Sequence, residues 1–195
     1  MVVPGEKLMK IPGTKRQKLA LMLKPLLFIG VLAYLSIGLF LVLSQHYINI
    51  LFSRMENQYR QNLINVTSVA RNSVEPVLAS HRCGKINRVE AIRQVRGIVR
   101  NMVYEDQDGR NYIFMSSYDG IMLVQPFEPH MELTNQWDLR DANGLYIIRE
   151  LVNAARIHPS GSFVRYYYYL PKVHAVQEKL AYISGLPEIN CYIGT

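Results

Sequence analysis

The chain has 195 residues, 49% of them hydrophobic, with 22 Lys and Arg against 15 Asp and Glu. This composition excludes a disordered or low-complexity chain, and two cysteines exclude a disulfide-dense miniprotein and a four-cysteine zinc site. Residues 1–24 hold most of the positive excess, with six Lys or Arg and one Glu, whereas residues 54–195 hold 16 basic and 14 acidic groups. The excess therefore lies in a terminal tail, and we expect no nucleic acid as a partner.

The first predicted element is a membrane helix. Residues 25–53 carry no charged side chain, and about 20 apolar residues are enough to cross roughly 30 Å of hydrocarbon. We expect a basic tail over residues 1–24, a transmembrane helix over 25–47 and an exported region over 48–195. The tail is expected in the cytoplasm, because Lys and Arg are retained on that side. A cleaved signal peptide is the alternative; the long apolar run and the lack of a small-residue cleavage site favour an uncleaved anchor.

Two further helices are predicted in the exported region. In residues 54–80 apolar side chains recur in steps of three or four, which is typical of an amphipathic helix. The stripe consists of Met55, Tyr59, Leu63, Val66, Ala70, Val74 and Val77. This narrow stripe fits packing on a sister helix in a homodimer and packing on the chain's own domain equally well. A second helix is predicted over residues 86–104, with a solvated surface formed by Arg88, Arg93, Arg96 and Arg100.

The pattern then changes to strands with one inserted helix. Residues 112–115 and 121–125 flank a turn at residues 118–120, which predicts a β-hairpin. Further strands are predicted over residues 161–170, 178–184 and 190–193, with a helix over residues 145–156 between the hairpin and these strands. The fold class is therefore α+β, with an antiparallel sheet of about five strands and flanking helices.

The residues that carry chemistry give no catalytic or metal site. The sequence contains no nucleophile elbow, HExxH helix, P-loop or dinucleotide-binding glycine turn. The five histidines are scattered, so we expect no metal and no cofactor. Export would permit a disulfide between Cys83 and Cys191, and two unpaired thiols are the alternative. These features argue against a membrane-anchored acid–base enzyme.

A group of aromatic and polar side chains on the strand faces favours a ligand pocket. Alternation along the strands groups Arg110, Tyr112, Phe114, Gln125, Tyr166, Tyr168 and Lys179 on strand faces or at strand ends. Aromatic walls with one cation, one amide and several phenols suit a small carboxylate or amino acid. The alternative is that these are ordinary strand residues, half in the core and half at the surface.

Four segments together resemble a known family. They are DGRNYIFMSSYDGIMLVQPFEP (108–129), WDLRDANGLYIIRELVNAA (137–155), GSFVRYYYYLP (161–171) and KLAYISGLPEINCYIGT (179–195). Their order resembles a single Cache sensor domain with a PAS-like sheet. The resemblance implies the extracytoplasmic input part of a bacterial inner-membrane transducer, which binds a small carboxylate or amino acid. The output would be a histidine kinase, a chemoreceptor or a cyclic-dinucleotide enzyme.

The resemblance also implies roles for individual residues. Tyr112 and Phe114 match the aromatic strand that floors the family pocket, and Tyr166 matches the tyrosine of the third strand. Lys179 and Tyr182 match the K-x-x-Y pattern of the next strand. Lys179 is the candidate for binding the ligand's anion, with a structural salt bridge as the alternative.

Four other matches carry alternatives of their own. Gln125 stands where many relatives have His, and the amide keeps both donor and acceptor roles. Arg110 is a candidate second cation or a solvated side chain. Asp141 matches a family Asp before Gly, and capping of the helix over residues 145–156, by Asp141 or Asn143, is the alternative. Trp137 is a candidate lid residue, or packs its loop onto the sheet.

The chain ends in the motif at which family members continue into another membrane helix. We therefore expect any enzymatic output module to lie beyond Thr195. The alternative to a ligand-binding sensor is a membrane-anchored dimerisation scaffold that binds no ligand.

Overall fold

The computed structural model describes residues 15–106, 109–170 and 175–195, and the chain divides into two compact units, Met1–Met55 and Glu56–Thr195. The longest element is helix α1 (Lys15–Arg82). Among the described residues, α1 contains one segment that is long and apolar enough to cross a membrane. In the first unit, most of the large apolar side chains described from Met22 onward are exposed. The first 14 residues of the predicted tail lie outside the described residues.

The second unit is built on an antiparallel sheet, which confirms the predicted α+β class. Its strands are β3 (Phe114–Ser117), β4 (Met122–Val124), β5 (Ser162–Leu170), β6 (Ala175–Leu186) and β7 (Cys191–Gly194). Their spatial order is β4-β3-β7-β6-β5. Strands β1 (Val103–Asp106) and β2 (Gly109–Tyr112) form a separate two-stranded sheet. The helices are α2 (Arg88–Val99) and α3 (Ile147–Ile157), with 3-10 turns at Pro129–Met131 and Pro187–Ile189.

The predicted hairpin is present in β3 and β4, where Met115 pairs with Val124. Its first strand begins at Phe114 and not at Tyr112, which ends β2. The reversal is set by Gly120, whose φ of +83° lies in the left-handed region that glycine adopts without strain. A side chain at this position would also collide with the Trp137 ring. The Trp137 loop therefore packs directly on the hairpin turn.

The predicted second helix is too long. Helix α2 begins after Asn87, whose side chain accepts a hydrogen bond from the Glu90 N–H at 2.9 Å, and it ends at Val99. The chain then turns into β1, and Val103 pairs with Tyr112. Val99 and Val103 are four residues apart, so their spacing fits a continued helix as well as a strand start. The pairing of β1 with β2 makes this segment a strand, and the periodicity of the sequence carries no information about that pairing.

One face of the sheet packs against α1 and α2, and we call it the α1 face. Its buried side chains include Met115, Cys191 and Ile193 from the strands. From α1, the stripe predicted at Leu63, Ala70 and Val74 is fully buried, whereas Met55 is 62% exposed. Thr67, a polar residue on the same face of α1, is also buried and donates to the Tyr182 carbonyl at 3.5 Å.

Of the four arginines predicted to form a solvated surface, Arg88, Arg93 and Arg100 are exposed, whereas Arg96 is partly buried. The Arg96 Nε donates to the Leu123 carbonyl at 2.9 Å, and Arg100 donates to Glu132. Arg96 also lies 3.7 Å from the Glu132 carboxylate. These contacts bind α2 to the edge strand β4 and to the loop behind it.

The opposite sheet face packs against α3, and we call it the α3 face. Its core contains Phe114, Ile183 and Tyr192 from the strands, together with the apolar face of α3. In α3, Leu151 and Val152 are both buried. The two cysteines are unpaired, since Cys83 is exposed and Cys191 is buried.

Candidate ligand-binding site

A small cavity lies between the α3 face of the sheet, helix α3 and the loop after β4. Its polar lining is formed by Tyr112, Gln125, Tyr166, Tyr168 and Lys179. Its apolar lining is formed by Phe114, Met122, Met131, Leu139, Ile147, Ile148 and Leu151. The space between these side chains is about 20 Å³, which is room for roughly one water molecule. The cavity is therefore too small for an organic ligand in this arrangement of its lining.

The strand pairing brings the polar groups together. Tyr166 on β5 lies directly opposite Lys179 on β6. Tyr168 follows two residues later on the same face, and its ring meets the Tyr166 ring edge-on at 6.2 Å. The Lys179 Nζ lies 4.9 Å from the Tyr112 ring centre and 5.8 Å from the Phe114 ring centre. A half-buried ammonium group is thus held over two aromatic faces, an arrangement that stabilises its charge.

The Gln125 amide lies beside two phenols of the cavity. Burial raises the pKa values of Tyr112 and Tyr168, and the polar side chain of Gln125 opposes this larger effect. The Tyr168 hydroxyl donates to the Glu128 carboxylate. The backbone N–H of Gln125 donates to Glu132 at 3.0 Å. The loop that carries Gln125 and Glu128 is therefore fixed on both sides of the cavity wall.

Burial keeps the phenols of the cavity protonated. It raises the pKa of Tyr112 to about 12 and raises the pKa of Tyr166 well above its usual value. The pKa of Tyr168 is also raised, first by burial and then by its hydrogen bond to the Glu128 carboxylate. At neutral pH all three are neutral hydroxyls. Tyr112 and Tyr166 can donate to an anion, whereas the Tyr168 proton is donated to Glu128.

Tyr182, a predicted site residue, is not brought to the cavity. It lies three residues after Lys179 on β6, and alternation therefore points it to the α1 face. Its ring packs at 4.8 Å against Phe163, over which the Arg60 guanidinium of α1 lies. The Tyr182 hydroxyl fills the space beside Gly161. The contacts of Tyr182 are those of a residue that packs the strands against α1.

Two further predicted residues, Arg110 and Trp137, also lie outside the cavity lining. Arg110 is exposed and lies 5.7 Å from the Phe127 ring. Phe127 in turn packs at 4.6 Å against Tyr112, so Arg110 is separated from the cavity by one ring. Trp137 lines an open surface groove with Tyr118 instead.

Asp141 binds backbone rather than the cavity or the helix. Its carboxylate accepts the N–H groups of Asn143 at 2.8 Å, Leu145 at 2.9 Å and Tyr167 at 3.1 Å. These hydrogen bonds, that of Tyr167 foremost, lower the pKa of Asp141. The predicted capping of the inserted helix is wrong, because α3 begins after Tyr146 without a side-chain cap. Asp141 instead ties its loop to the edge strand β5.

Three residues of the site region were missed by the sequence reasoning. Glu128, Met131 and Glu132 belong to an irregular loop and its 3-10 turn, where no periodicity marks an inward-facing side chain. The only signal in the sequence was the pair Pro126 and Pro129, which indicates a loop but not which of its side chains face the sheet. Among the described residues, no group of three or more His, Cys, Asp or Glu side chains could hold a metal ion.

Known proteins resemble both the sequence and the fold. Residues 55–195 match the family model described as single Cache domain 2. The sensor histidine kinase MctS of Rhizobium johnstonii is 25% identical over an alignment of 186 residues that covers 93% of this chain. The chain spans 38% of the length of that curated relative.

Two solved structures share the fold. A methyl-accepting chemotaxis protein from Vibrio parahaemolyticus is 21% identical, with a TM-score of 0.61 over 73% of this chain and 89% of that one. A Cache chemosensory domain described for its carboxylic acid recognition is 18% identical, with a TM-score of 0.62 over 71% of this chain and 94% of that one. The family match covers most of the chain, and the five-stranded sheet agrees with it. The chain therefore belongs to the single Cache family of sensory input domains.

Proposed function

We propose that the chain is the extracytoplasmic input part of a membrane-anchored signal transducer, a histidine kinase or a chemoreceptor, and that it binds a small carboxylate or amino acid. The observation that carries this proposal is the cavity on the α3 face, where Lys179 lies beside protonated phenols and an amide. These groups provide one positive charge and several donors in a largely apolar enclosure. An ionised carboxylate accepts hydrogen bonds from such groups more strongly than a neutral ligand does.

The proposed binding requires the cavity to open. A space of about 20 Å³ is smaller than any carboxylate with a carbon chain. Met131 and Leu139 come from the loop, Leu151 comes from α3, and Tyr166 and Lys179 come from the strands, so opening requires these elements to separate. The ligand then favours the open arrangement over the closed one by its differential affinity for the two. We propose that this population shift changes the position of α1 relative to its mate in a homodimer.

The proposed topology follows from charge. The basic tail over residues 1–24 stays in the cytoplasm, residues 25–47 cross the inner membrane, and residues 48–195 form the stalk and sensor outside. The exposed side of α1 in the second unit is the proposed dimer surface. A fusion of alkaline phosphatase after Thr195 should be active if the sensor is exported, and inactive if it is cytoplasmic.

The test of ligand binding is a pair of lysine variants of the full chain in detergent. Lys179→Met keeps the length of the stem and removes the charge, and Lys85→Met makes the same change at an exposed turn residue. Loss of a charged hydrogen bond costs about 1.5–3 kcal/mol, which weakens binding roughly tenfold to 150-fold. Calorimetry with short-chain carboxylates and amino acids should give this loss for Lys179→Met alone. Equal affinities in the two variants would remove Lys179 from the site.

A second candidate function is a dimerisation scaffold that binds no ligand. The small volume of the cavity favours it, because a packed interior needs no occupant. The two functions differ in one measurement. Any ligand of the native state must raise the melting temperature by mass action, and a scaffold would respond to none of the acids.

A further inference from the structure

The carbonyl oxygen of the Gln125 side chain is a buried acceptor without a donor. Gln125 is 5% exposed and lines the cavity. Its Oε1 has no hydrogen-bond partner among the described residues. Buried polar side-chain atoms in native proteins are nearly always paired, so an unpaired one needs an explanation. A ligand that brings a hydrogen-bond donor into the cavity would supply the missing partner.

The hydrogen bonds of Tyr168 fix which end of the Gln125 amide is unpaired. The Tyr168 hydroxyl uses its only proton on the Glu128 carboxylate. Its oxygen can therefore only accept a hydrogen bond, which suits the NH₂ group of the neighbouring Gln125 amide and not the carbonyl oxygen. The opposite arrangement would place the amide oxygen against an oxygen that has no proton to give. The orphan at this site is thus an acceptor, and it requires a donor.

A simple carboxylate cannot supply that donor. When ionised it has acceptor oxygens only, which suit Lys179 and the phenols but leave Gln125 Oε1 unpaired. A keto group would add one more acceptor to the ligand. The Glu128 carboxylate, one hydrogen bond away through Tyr168, adds negative potential and further disfavours a second acceptor.

We propose that the ligand carries both a carboxylate and a hydrogen-bond donor, a hydroxyl or an ammonium group, and that this donor binds Gln125 Oε1. The inference rests on the proposed function, since it names the ligand class of the same cavity. Lys179 binds the anionic end, and Gln125 selects the substituent. Gln125 is thus the specificity-determining residue among the cavity side chains.

The test holds the carbon skeleton constant and changes one group. The full chain in detergent is titrated by calorimetry with propionate, pyruvate, lactate and alanine, the last two as both enantiomers. Loss of a donor to a buried acceptor weakens binding by about tenfold or more. We expect lactate or alanine to bind at least about tenfold more tightly than propionate and pyruvate. The better of the two identifies the donor as a hydroxyl or an ammonium group.

The matched variant is Gln125→Met, which keeps the length of the side chain and removes the acceptor. We expect the advantage of the donor-bearing acid over propionate to fall below about threefold, while propionate still binds. Equal affinities for all the acids in the unsubstituted chain would overturn the inference and leave the proposed function standing. An advantage that survives in Gln125→Met would also overturn it. Binding of none of the acids would refute the proposed function and the inference together.

Discussion

Glu132 links the cavity loop to helix α2, and its removal should destabilise the second unit. The side chain is 10% exposed and accepts the Gln125 N–H at 3.0 Å. It also pairs with Arg96 at 3.7 Å and accepts from Arg100. Glu132→Ala removes all of these contacts, and Glu132→Gln keeps an oxygen for the Gln125 N–H while removing the charge.

The two variants should differ by the cost of an unpaired N–H. The ion pairs involve arginines that are 26% and 53% exposed, so the loss of charge alone should cost about 1 kcal/mol. An unsatisfied buried N–H adds about 1–3 kcal/mol. We expect the free energy of unfolding to fall by about 1 kcal/mol for Glu132→Gln and by about 3 kcal/mol for Glu132→Ala.

Urea unfolding followed by the fluorescence of Trp137 measures this difference. Trp137 is the single tryptophan and packs against the core of the α3 face, so it reports on the second unit. Glu90→Ala is the control, because Glu90 makes an ion pair with Arg93 on the exposed side of α2. The control should change stability less than either Glu132 variant. If Glu132→Ala and Glu132→Gln unfold at the same urea concentration, the hydrogen bond to Gln125 contributes nothing and the reasoning is refuted.

Three further predictions test the packing and the protonation states. Tyr182→Leu should cost about 0.5–1.5 kcal/mol of unfolding free energy and leave calorimetric ligand affinity unchanged; weakened binding would return Tyr182 to the site. Burial raises the pKa of the Cys191 thiol to about 12, so iodoacetamide at about pH 8 should label exposed Cys83 natively and Cys191 only after unfolding. The pKa of Tyr112 is also raised to about 12. An unfolded phenol ionises near pH 10, whereas the folded Tyr112 phenol keeps its proton up to about pH 12. The free energy of unfolding should therefore fall as the pH rises from 10 to 12, and the urea midpoint should fall with it.

The elements with strong local signals were predictable from the sequence. The α1 stripe, the Gly120 hairpin and the Tyr-rich strand β5 each follow from a periodicity or a turn residue within the element. Strand β1 was not predictable, because Val99 and Val103 keep the helical spacing and only the pairing with β2 ends the helix. Long-range pairing therefore decided the element that was missed.

The candidate site was predictable where it lies on strands. Tyr166 and Lys179 share the α3 face, as alternation indicated, and Tyr112 reaches the same cavity from the end of β2. Alternation alone excludes Tyr182 from that face, because it lies an odd number of residues from Lys179. The family motif contains both residues without stating which face each one occupies. Glu132 had no such signal, since its direction depends on the conformation of an irregular loop.

The strands that border the cavity are also the strands that contact α1. On β5, Tyr166 faces the cavity, whereas the neighbouring Arg165 pairs with Glu56 of α1 at 2.8 Å. Arg165 also pairs with Glu178 of β6 at 2.8 Å. A displacement of this strand pair by a ligand on one face therefore changes the ion pairs on the other face directly.

Strand β6 also borders the cavity on one side and contacts α1 on the other. Lys179 borders the cavity, while three residues later the carbonyl of Tyr182 accepts a hydrogen bond from Thr67 at 3.5 Å. Further along, Arg71 donates to the Gly185 carbonyl. A ligand can bias α1 through these contacts only by the difference between its affinities for two positions of the strands. Thr67→Val, which removes the donor and keeps the shape, should therefore leave the ligand affinity within about twofold and weaken the coupling, measured as ligand-dependent crosslinking along α1.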